Sequence, residues 1–282
     1  MIGVGGGKAI DVSKWAADRA GLPYVAVPTS VATCAAVVSL YIECAEEGRP
    51  AGGGYVARSP EFAIVDSKII AEAPTRLLSS GIADTMLKWP ETSYGGRNQT
   101  RTVFIDATEA WGKVAFDVCL STGPCVIQAV RENRVTKELE DIIDANMILS
   151  GVTGNTAGYE VRLAVAHCVH DGLITYDFEK SKKFLHGEKV AFGTLVQMVL
   201  CDNVSDDLFL QTLAFMKSIG LPVCMQDLGI EETEENVRKL AMETRRRKRL
   251  QEGPVATPLE HIVDALSKVN SLAKEIFVSS GV

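Results

Sequence analysis

The side chains best suited to chemistry lie in one stretch that holds three of the chain's four histidines, His167, His170 and His186. Neutral imidazole is the commonest side-chain ligand for divalent zinc, copper and iron. His167 and His170 are three residues apart, so a helix would present them on one face. Two imidazoles from neighbouring helices and one carboxylate would make a three-ligand metal site with an open position. The alternative is that all three are hydrogen-bonded core histidines.

A candidate for the carboxylate is Asp84, in the segment G-I-A-D-T-M-L-K-W-P-E. Its neighbours are largely apolar, and an unpaired carboxylate in such a setting is costly. Asp84 is therefore a candidate third metal ligand. The alternative is a helix N-cap, a position that aspartate also favours. Lys88 and Glu91 are one helical turn apart, and their spacing predicts an ion pair on the surface.

A second functional candidate is the glycine run Gly5-Gly6-Gly7 near the amino terminus. It directly precedes an amphipathic helical pattern. Glycines in this position let a diphosphate approach backbone N–H groups, and the helix end adds a partial positive charge. Lys8 could supply a further cation near the phosphates. A plain tight turn and a solvated lysine are the alternatives.

Small hydroxyl residues follow a short apolar run, residues 24–28, that predicts a buried strand. They are Thr29, Ser30 and Thr33. Open α/β sheets bind their ligands at the carboxyl ends of the strands. We therefore expect these side chains to border the same ligand as the glycine run.

Other short elements complete the amino-terminal part. The predicted strands are 2–4, 40–43 and 62–65, the predicted turn is 49–54 and the predicted helix is 66–71. A doubly wound nucleotide domain normally has strands and helices ahead of the phosphate loop, but here only residues 2–4 precede it. We therefore expect the chain to be an amino-terminally shortened version of a longer enzyme. The alternative is that the shorter sheet is complete.

From Pro74 onward the apolar residues follow helical periodicity. The predicted helical segments are 75–97, 104–120, 125–131, 136–150, 157–175, 187–202, 205–219, 231–250 and 258–279. Pro90 is expected to kink or end the first of them. The sequence thus predicts two domains. Residues 1–76 form a partial dinucleotide-binding α/β domain, and residues 77–282 form an α-helical domain.

Composition narrows the class of protein. The chain is 46% hydrophobic and carries 29 basic against 36 acidic residues, a net charge of −7. This argues against nucleic acid or an anionic membrane as the main partner. Polar residues interrupt the apolar runs short of a bilayer span, and no signal peptide pattern is present. Seven scattered cysteines without a C-x-x-C pair indicate reduced thiols in a cytoplasmic enzyme. The basic run 245–249 is interpreted as a solvated helix end or a subunit contact.

Several stretches together resemble the iron-containing alcohol dehydrogenase family, and within it the glycerol and hydroxycarboxylate dehydrogenases. The matching segments are V-G-G-G-K-A-I-D (4–11), V-P-T-S-V-A-T-C-A-A (27–36), residues 64–85, A-H-C-V-H-D-G-L (166–173) and F-L-H-G-E-K-V-A-F-G (184–193). The resemblance covers nearly the whole chain. It implies a dehydroquinate synthase-like architecture, in which a Rossmann-like α/β nucleotide-binding domain, truncated here, is followed by an all-α metal-binding domain.

The resemblance also implies a role for each candidate residue. As metal ligands it gives Asp84, His167 and His186. As cofactor-binding residues it gives Gly5, Gly6, Gly7, Lys8, Thr29, Ser30, Thr33 and Leu40. His170 becomes a catalytic proton relay that faces the substrate. The implied cofactors are NAD or NADP and a divalent metal, zinc or alternatively iron.

Cys34 departs from the glycerol-type pattern, in which an aspartate holds the hydroxyls of the polyol. A thiol accepts hydrogen bonds weakly, and sites built for hydroxyl partners discriminate against other ligands. Three features resemble the hydroxycarboxylate branch, namely T-C-A-A (33–36), Lys88 and Trp89. The segment H-G-E-K (186–189) instead has the glycerol-type form. The expected substrate is thus a small alcohol or polyol, or alternatively a 2-oxo acid, with Cys34 beside it.

The leading hypothesis is a cytoplasmic, homo-oligomeric, metal-dependent oxidoreductase that transfers a hydride between NAD(P) and a small polyol. A dehydroquinate synthase-like lyase would share the architecture, but it would need a dense set of lysines and arginines that the site segments lack. A third hypothesis is a non-catalytic truncated fragment. Neither nucleic acid nor a membrane is expected as a partner.

Overall fold

Three short strands pair in parallel to form the amino-terminal sheet, and two others form a separate antiparallel hairpin. The computed structural model describes residues 1–156, 165–201, 204–251 and 257–279. The strands are β1 (Ile2–Gly5), β2 (Val25–Pro28), β3 (Leu40–Cys44), β4 (Pro50–Tyr55) and β5 (Phe62–Ala63). The sheet has the order β1-β2-β5, with Ile2 opposite Val25 and Val25 opposite Phe62.

Helix α1 (Gly7–Arg19) follows β1 directly and carries a buried lysine. The Lys14 ammonium donates to the carbonyl oxygens of Ala35, Val38 and Leu40 at 2.5–3.0 Å and lies 3.2 Å from a carboxylate oxygen of Asp11. Burial lowers the pKa of Lys14 from its ordinary value, although Asp11 opposes this shift. These contacts fix the loop between β2 and β3 to α1.

The predicted turn at 49–54 is wrong, because residues 50–55 form strand β4. Gly52, Gly53 and Gly54 lie opposite β3 in a regular antiparallel register that ends with Leu40 opposite Tyr55. Glycine-rich segments read as turns from sequence because they have no apolar alternation. Here the backbone N–H and C=O groups of the glycines form hydrogen bonds with strand β3. The local sequence pattern does not predict this pairing.

The parallel sheet has one covered face and one open face. Gly3 and Ala26 are buried on the covered face. On the strands and just after β5, large apolar side chains are exposed. They are Ile2 (67%), Val4 (62%), Phe62 (65%) and Ile64 (57%). Parallel sheets normally have both faces covered, so this apolar surface is unusual.

The rest of the described chain is helical, as expected. The helices are α2 (Ser67–Glu72), α3 (Thr75–Met86), α4 (Lys88–Gly95), α5 (Val103–Arg131), α6 (Lys137–Asp144), α7 (Gly151–Thr156), α8 (Val165–Tyr176), α9 (Phe178–Ser181), α10 (His186–Leu200), α11 (Asp206–Ser218), α12 (Glu234–Arg245), α13 (Lys248–Gln251) and α14 (Leu259–Ser279). A π-helical segment, Ala145–Ser150, joins α6 to α7. Part of the predicted segment 157–175, residues 157–164, lies outside the described residues.

Two prolines behave differently from each other. Pro90 lies in the first turn of α4, where its missing N–H is not needed, and the helical path breaks before it at Leu87. The predicted segments 104–120 and 125–131 form one helix, because α5 runs through Pro124 without a break. Helix α5 is held by packing against α3, α4 and α11. Tertiary contacts therefore outweigh the local preference of Pro124.

Among the described residues, α5 is the one helix with the length and mean hydropathy, 1.2, that a membrane span would need. The polar residues in its sequence do not lower its mean hydropathy below the value expected of a membrane-spanning helix. Helix α5 packs against α3, α4 and α6, and a single helix of this kind is weak support for a membrane.

The core is continuous from the sheet into the helices, and Gly81 lies where the two parts touch. The buried cluster includes Ile10 of α1, Ala26 of β2 and Ile82 of α3. Gly81 of α3 faces the loop after β2, and a Cβ there would overlap the carbonyl oxygen of Val31. This close approach needs glycine.

Gly81→Ala should therefore destabilise the protein by about 1–3 kcal/mol, the usual cost of forcing extra volume into a packed interior. Denaturant unfolding measures this change. Gly6→Ala is the matched control, because a Cβ at Gly6 would lie 3.7 Å from the Ser30 hydroxyl in ordinary contact. Equal stabilities of the two variants would show that the packing between α3 and the loop is looser than described.

Candidate metal centre

Helices α3, α8 and α10 meet at a small apolar cluster of Leu87, Ala166 and Val190, all fully buried. Helix α10 packs against both α8 and α3. The expected metal ligands lie next to this cluster, because Asp84 is one turn before Leu87 and His167 directly follows Ala166. The apolar contact therefore brings together side chains that are far apart in sequence.

Asp84, His167 and His186 offer one ligand atom each, and these atoms all lie within 4.8 Å of one another. The Nε2 atom of His186 is 3.5 Å from Oδ1 of Asp84, and the ring centroids of His167 and His186 are 5.4 Å apart. Asp84 is inside α3, so it is not the helix N-cap that the alternative interpretation proposed. One carboxylate and two imidazoles at this spacing could hold a divalent cation.

The segment H-G-E-K (186–189) positions His186 through its other three residues. Gly187 lies against α3, where a Cβ would overlap the carbonyl oxygen of Ser80. Glu188 accepts the Leu185 N–H at 2.7 Å and both nitrogens of the Arg76 fork at 2.5 and 2.6 Å. This closes the first turn of α10 onto the start of α3.

The lysine of the same segment holds the turn that leads into α10. The Lys189 ammonium donates to the carbonyl oxygens of Ser181 and Phe184 at 3.3 and 3.2 Å. Burial lowers its pKa to about 8. The four residues 186–189 are thus one structural unit that fixes the position of His186.

The charge of Asp84 is set by its neighbours. Burial opposes ionisation of this carboxyl, but Lys88 and the nearby imidazoles outweigh burial and lower its pKa below the ordinary range. The Lys88 ammonium is buried and lies 3.3 Å from Oδ1 of Asp84. The expected surface pair between Lys88 and Glu91 is wrong, since neither side chain is on the surface.

Glu91 instead contacts the ligand candidate His167. Its Oε1 atom is 2.5 Å from Nδ1 of His167, and Glu91 is 0% exposed. Burial lowers the pKa of His167, and Glu91 opposes this shift. This contact has no local sequence pattern, because residues 91 and 167 approach only through the packing of separate helices.

His170 lies behind His186 rather than beside the three ligand atoms. Its Nε2 is 3.1 Å from Nδ1 of His186, and its Nδ1 is 2.9 Å from a carboxylate oxygen of Asp171. Burial lowers the pKa of His170 to about 3, so its ring is neutral near pH 7. This geometry favours orientation of His186 over the substrate-facing proton relay that the resemblance implied.

The glycine run lies at the start of α1, beside the expected hydroxyl residues. Thr29 N–H donates to the carbonyl oxygen of Gly5 at 3.0 Å. A Cβ at Gly7 would be 3.4 Å from the Thr33 hydroxyl, and the Ser30 hydroxyl is similarly close to Gly6. Within the described part of the chain, no side chain caps the first N–H groups of α1. The structure therefore brings these candidates to one place.

Other cofactor and substrate candidates lie on the loop that Lys14 holds. Leu40 supplies one of the carbonyl oxygens bound by Lys14. Cys34 is buried, and its carbonyl accepts the N–H of Val37 at 3.1 Å. Val31 of this loop touches α3 one turn before Asp84, so the loop connects the glycine run to the ligand helices.

Two buried amides near the site were also missed from sequence. Asn146, in the π-helical segment, donates to the Thr85 hydroxyl at 2.8 Å. Gln197 of α10 accepts the Ala166 N–H at 2.9 Å and donates to the carbonyl oxygen of Pro90 at 3.0 Å. A π-helical segment often marks a functional site, but it has no recognisable sequence pattern.

The basic run 245–249 is only partly a solvated helix end. Arg247 donates to the carbonyl oxygen of Asp171 at 2.9 Å and also bonds the Thr175 hydroxyl, both on α8. It therefore fixes the helix that carries His167 and His170.

Comparison with known proteins gives the family. The family described as iron-containing alcohol dehydrogenase matches residues 1–74. The solved "probable glycerol dehydrogenase from Sinorhizobium meliloti 1021" is 30% identical, with a TM-score of 0.84 over 98% of this chain and 77% of that one. The chain belongs to the iron-containing alcohol dehydrogenase family. Glycerol dehydrogenase from Schizosaccharomyces pombe also shares the fold, with a TM-score of 0.85, 29% identity and coverage of 99% and 71%.

These two solved structures confirm the expected architecture of a sheet-containing amino-terminal domain followed by a helical part. Glycerol dehydrogenase from Escherichia coli O6:H1 is 35% identical over 236 residues, which are 82% of this chain. The match covers 62% of the length of that relative, so the chain spans less than two thirds of it.

The neutral state of His170 predicts how stability depends on pH in the metal-free protein. Its folded pKa of about 3 is below the ordinary value of about 6.5, so the unfolded chain binds more protons between these limits. The contribution of His170 is complete above about pH 6.5 and is lost as the pH falls toward about 3. The loss is at most about 1.4 kcal/mol per pH unit.

Denaturant unfolding between about pH 7 and pH 5 tests this, with His170→Gln as the variant. The variant should show a shallower fall in unfolding free energy than the unsubstituted chain. Asp84 has a lowered pKa and affects stability only below about pH 4, outside this window. Equal slopes for both proteins would mean that His170 is not buried as a neutral ring.

Proposed function

We propose that this chain is a metal-dependent oxidoreductase that transfers a hydride between NAD(P) and a small alcohol or polyol, as in glycerol dehydrogenases. The observation that carries the proposal is the approach of Asp84, His167 and His186 to within 4.8 Å beside a loop that also borders the glycine run. Glycerol dehydrogenases among the relatives support the reaction class.

The side chains present fit a divalent cation. Asp84 is ionised, and His186 turns Nε2 toward it because Nδ1 is bonded to His170. A cation held there would supply Lewis acid chemistry to a substrate oxygen. This donor set suits zinc, and iron is the alternative, because nitrogen and oxygen ligands suit both.

The glycine run fits a dinucleotide. The first N–H groups of α1 have no side-chain cap, and Gly6 and Gly7 leave room beside Ser30 and Thr33. We propose that Gly5, Gly6, Gly7 and Lys8 bind the phosphates of NAD(P). Thr29, Ser30, Thr33 and Leu40 are proposed to line the pyrophosphate and nicotinamide portion. The cofactor supplies the hydride, and the protein holds it against the substrate carbon.

Lys14 and Gly81 maintain the spacing between the proposed metal site and the proposed cofactor site. Lys14 keeps the 35–40 loop on α1, and Gly81 lets the neighbouring residue Val31 lie directly on α3. A displacement of about 1 Å at such a junction can cost a large part of the rate. His170 is proposed to orient His186, and Asp171 to hold His170 in turn.

A second substrate class is favoured by Cys34. A thiol cannot hold two polyol hydroxyls by strong hydrogen bonds, so a 2-hydroxy acid and its 2-oxo partner form the alternative pair. We further propose a cytoplasmic homo-oligomer. A dehydroquinate synthase-like lyase and a non-catalytic fragment are the remaining outcomes, which the cofactor and substrate measurements below distinguish.

Asp84→Asn and His186→Gln should each reduce kcat/KM at least 100-fold, because Lewis acid assistance is worth several kcal/mol and 1.36 kcal/mol is tenfold in rate. Bound zinc should fall in parallel when measured by elemental analysis after dialysis. The matched control is His261→Gln, since His261 is exposed on α14 away from the three-helix junction.

The assay panel for these variants is glycerol, dihydroxyacetone and 2-oxobutyrate with both NAD(H) and NADP(H). NAD(H) titration followed by intrinsic fluorescence is run alongside. Binding of neither cofactor would support the non-catalytic fragment. Full activity of the ligand variants would contradict the metal-dependent mechanism.

Cys34→Asp should shift preference toward polyols. An ionised carboxylate accepts hydrogen bonds from hydroxyls but repels a substrate carboxylate. We expect the ratio of kcat/KM for glycerol to that for 2-hydroxybutyrate to rise about tenfold or more. Cys125→Asp is the control, because Cys125 is exposed on α5. An unchanged ratio would mean that residue 34 does not border the substrate.

A further inference from the structure

Glu91 is a buried carboxylate that no part of the proposed reaction uses. It is 0% exposed in the first turn of α4, and its Oε1 is 2.5 Å from Nδ1 of His167. Burying a carboxylate is costly unless it is paired or hydrogen-bonded. The nearby Lys88 is directed to Asp84, at 3.3 Å. Its contact with Nδ1 places this carboxylate directly beside a candidate metal ligand.

The contact decides which nitrogen of His167 is available. An ionised Glu91 only accepts hydrogen bonds, so the contact matches the tautomer of His167 that carries its proton on Nδ1. The lone pair then lies on Nε2, the nitrogen turned away from Glu91. A hydrogen bond of this kind fixes the tautomer and ring orientation of a metal-binding histidine and raises its basicity.

Gln197 fixes the distance between the two partners. Its side-chain oxygen accepts the N–H of Ala166, the residue before His167. Its side-chain nitrogen donates to the carbonyl oxygen of Pro90, the residue before Glu91. One fully buried amide thus ties both backbones together, so the pair is built into the fold rather than formed by flexible side chains.

The other imidazole has a different partner. Nδ1 of His186 is bonded to another imidazole, that of His170, at 3.1 Å. Only His167, of the two candidate ligand histidines, is hydrogen-bonded to a carboxylate through Nδ1. The stronger donor of the pair should therefore be His167.

We propose that Glu91 is a positioning residue that sets the tautomer, orientation and basicity of His167 and thereby the affinity of the site for its divalent cation. This inference rests on the proposed function, because it assumes that Asp84, His167 and His186 hold a metal. Loss of such an outer partner typically costs 10–100-fold in metal affinity.

The first test measures zinc affinity of the full chain by competition with a chromophoric chelator. Glu91→Gln keeps the size and an acceptor oxygen but removes the charge, and it should weaken zinc binding roughly 10–100-fold. Glu91→Asp keeps the charge but shortens the side chain. Its affinity for zinc should lie between those of the wild type and Glu91→Gln. The control is Glu232→Gln, a half-buried carboxylate that pairs with Lys274.

The second test needs no Glu91 variant, so it holds even if such variants fold poorly. Nitrogen NMR of the metal-free wild-type chain identifies the protonated nitrogen of His167, with His167→Gln assigning the signal. The expected result is a proton on Nδ1. A proton on Nε2 would overturn the proposal.

The outcomes separate the two proposals. Absence of zinc binding by the wild-type chain would contradict the proposed function. Tight binding by the wild type with less than a twofold loss in Glu91→Gln would instead overturn the role of Glu91 alone. An equal loss in Glu232→Gln would show a general structural effect and would also overturn it.

Discussion

The site depends on the close approach of α3, α8 and α10. Gly187 allows the start of α10 to lie against Ser80 of α3, and Leu87, Ala166 and Val190 fill the space where the three helices meet. Asp84 and His186 are 102 positions apart in the sequence, yet this contact brings their side chains to 3.5 Å. Without it, Asp84 would be a costly buried carboxylate rather than a ligand.

The surroundings of the ligands form a continuous set of directed hydrogen bonds. Glu188 and Arg76 join the starts of α10 and α3, and Gln197 joins α10 to both α8 and α4. Rigid supports of this kind reduce the reorganisation needed when a cation or substrate binds. On the amino-terminal side, Lys14 has the same role for the loop between β2 and β3.

Local patterns in the sequence predicted much of the fold. Helical periodicity, the predicted strands 2–4, 24–28 and 40–43, and the glycine run all correspond to elements of the structure. Strand β4 was missed because pairing, not apolar alternation, defines it. The continuity of α5 through Pro124 was missed because packing against other helices outweighs a local preference.

The candidate ligands could be proposed because histidine is rare in this chain and H-G-E-K is distinctive. The residues that support them could not. Glu91 and Lys88 have an i to i+3 spacing that suggests a surface pair, yet each is directed to a different ligand candidate. Such choices depend on long-range packing, which has no short sequence signature.

The central claim is that Asp84, His167 and His186 jointly hold one divalent cation, and X-ray absorption spectroscopy of the zinc-loaded chain tests it most directly. The account predicts nitrogen and oxygen neighbours at about 2.0–2.2 Å, with outer-shell scattering from two imidazole rings that becomes one ring in His186→Gln. Sulfur neighbours at about 2.3 Å, or a spectrum unchanged in the variant, would contradict it.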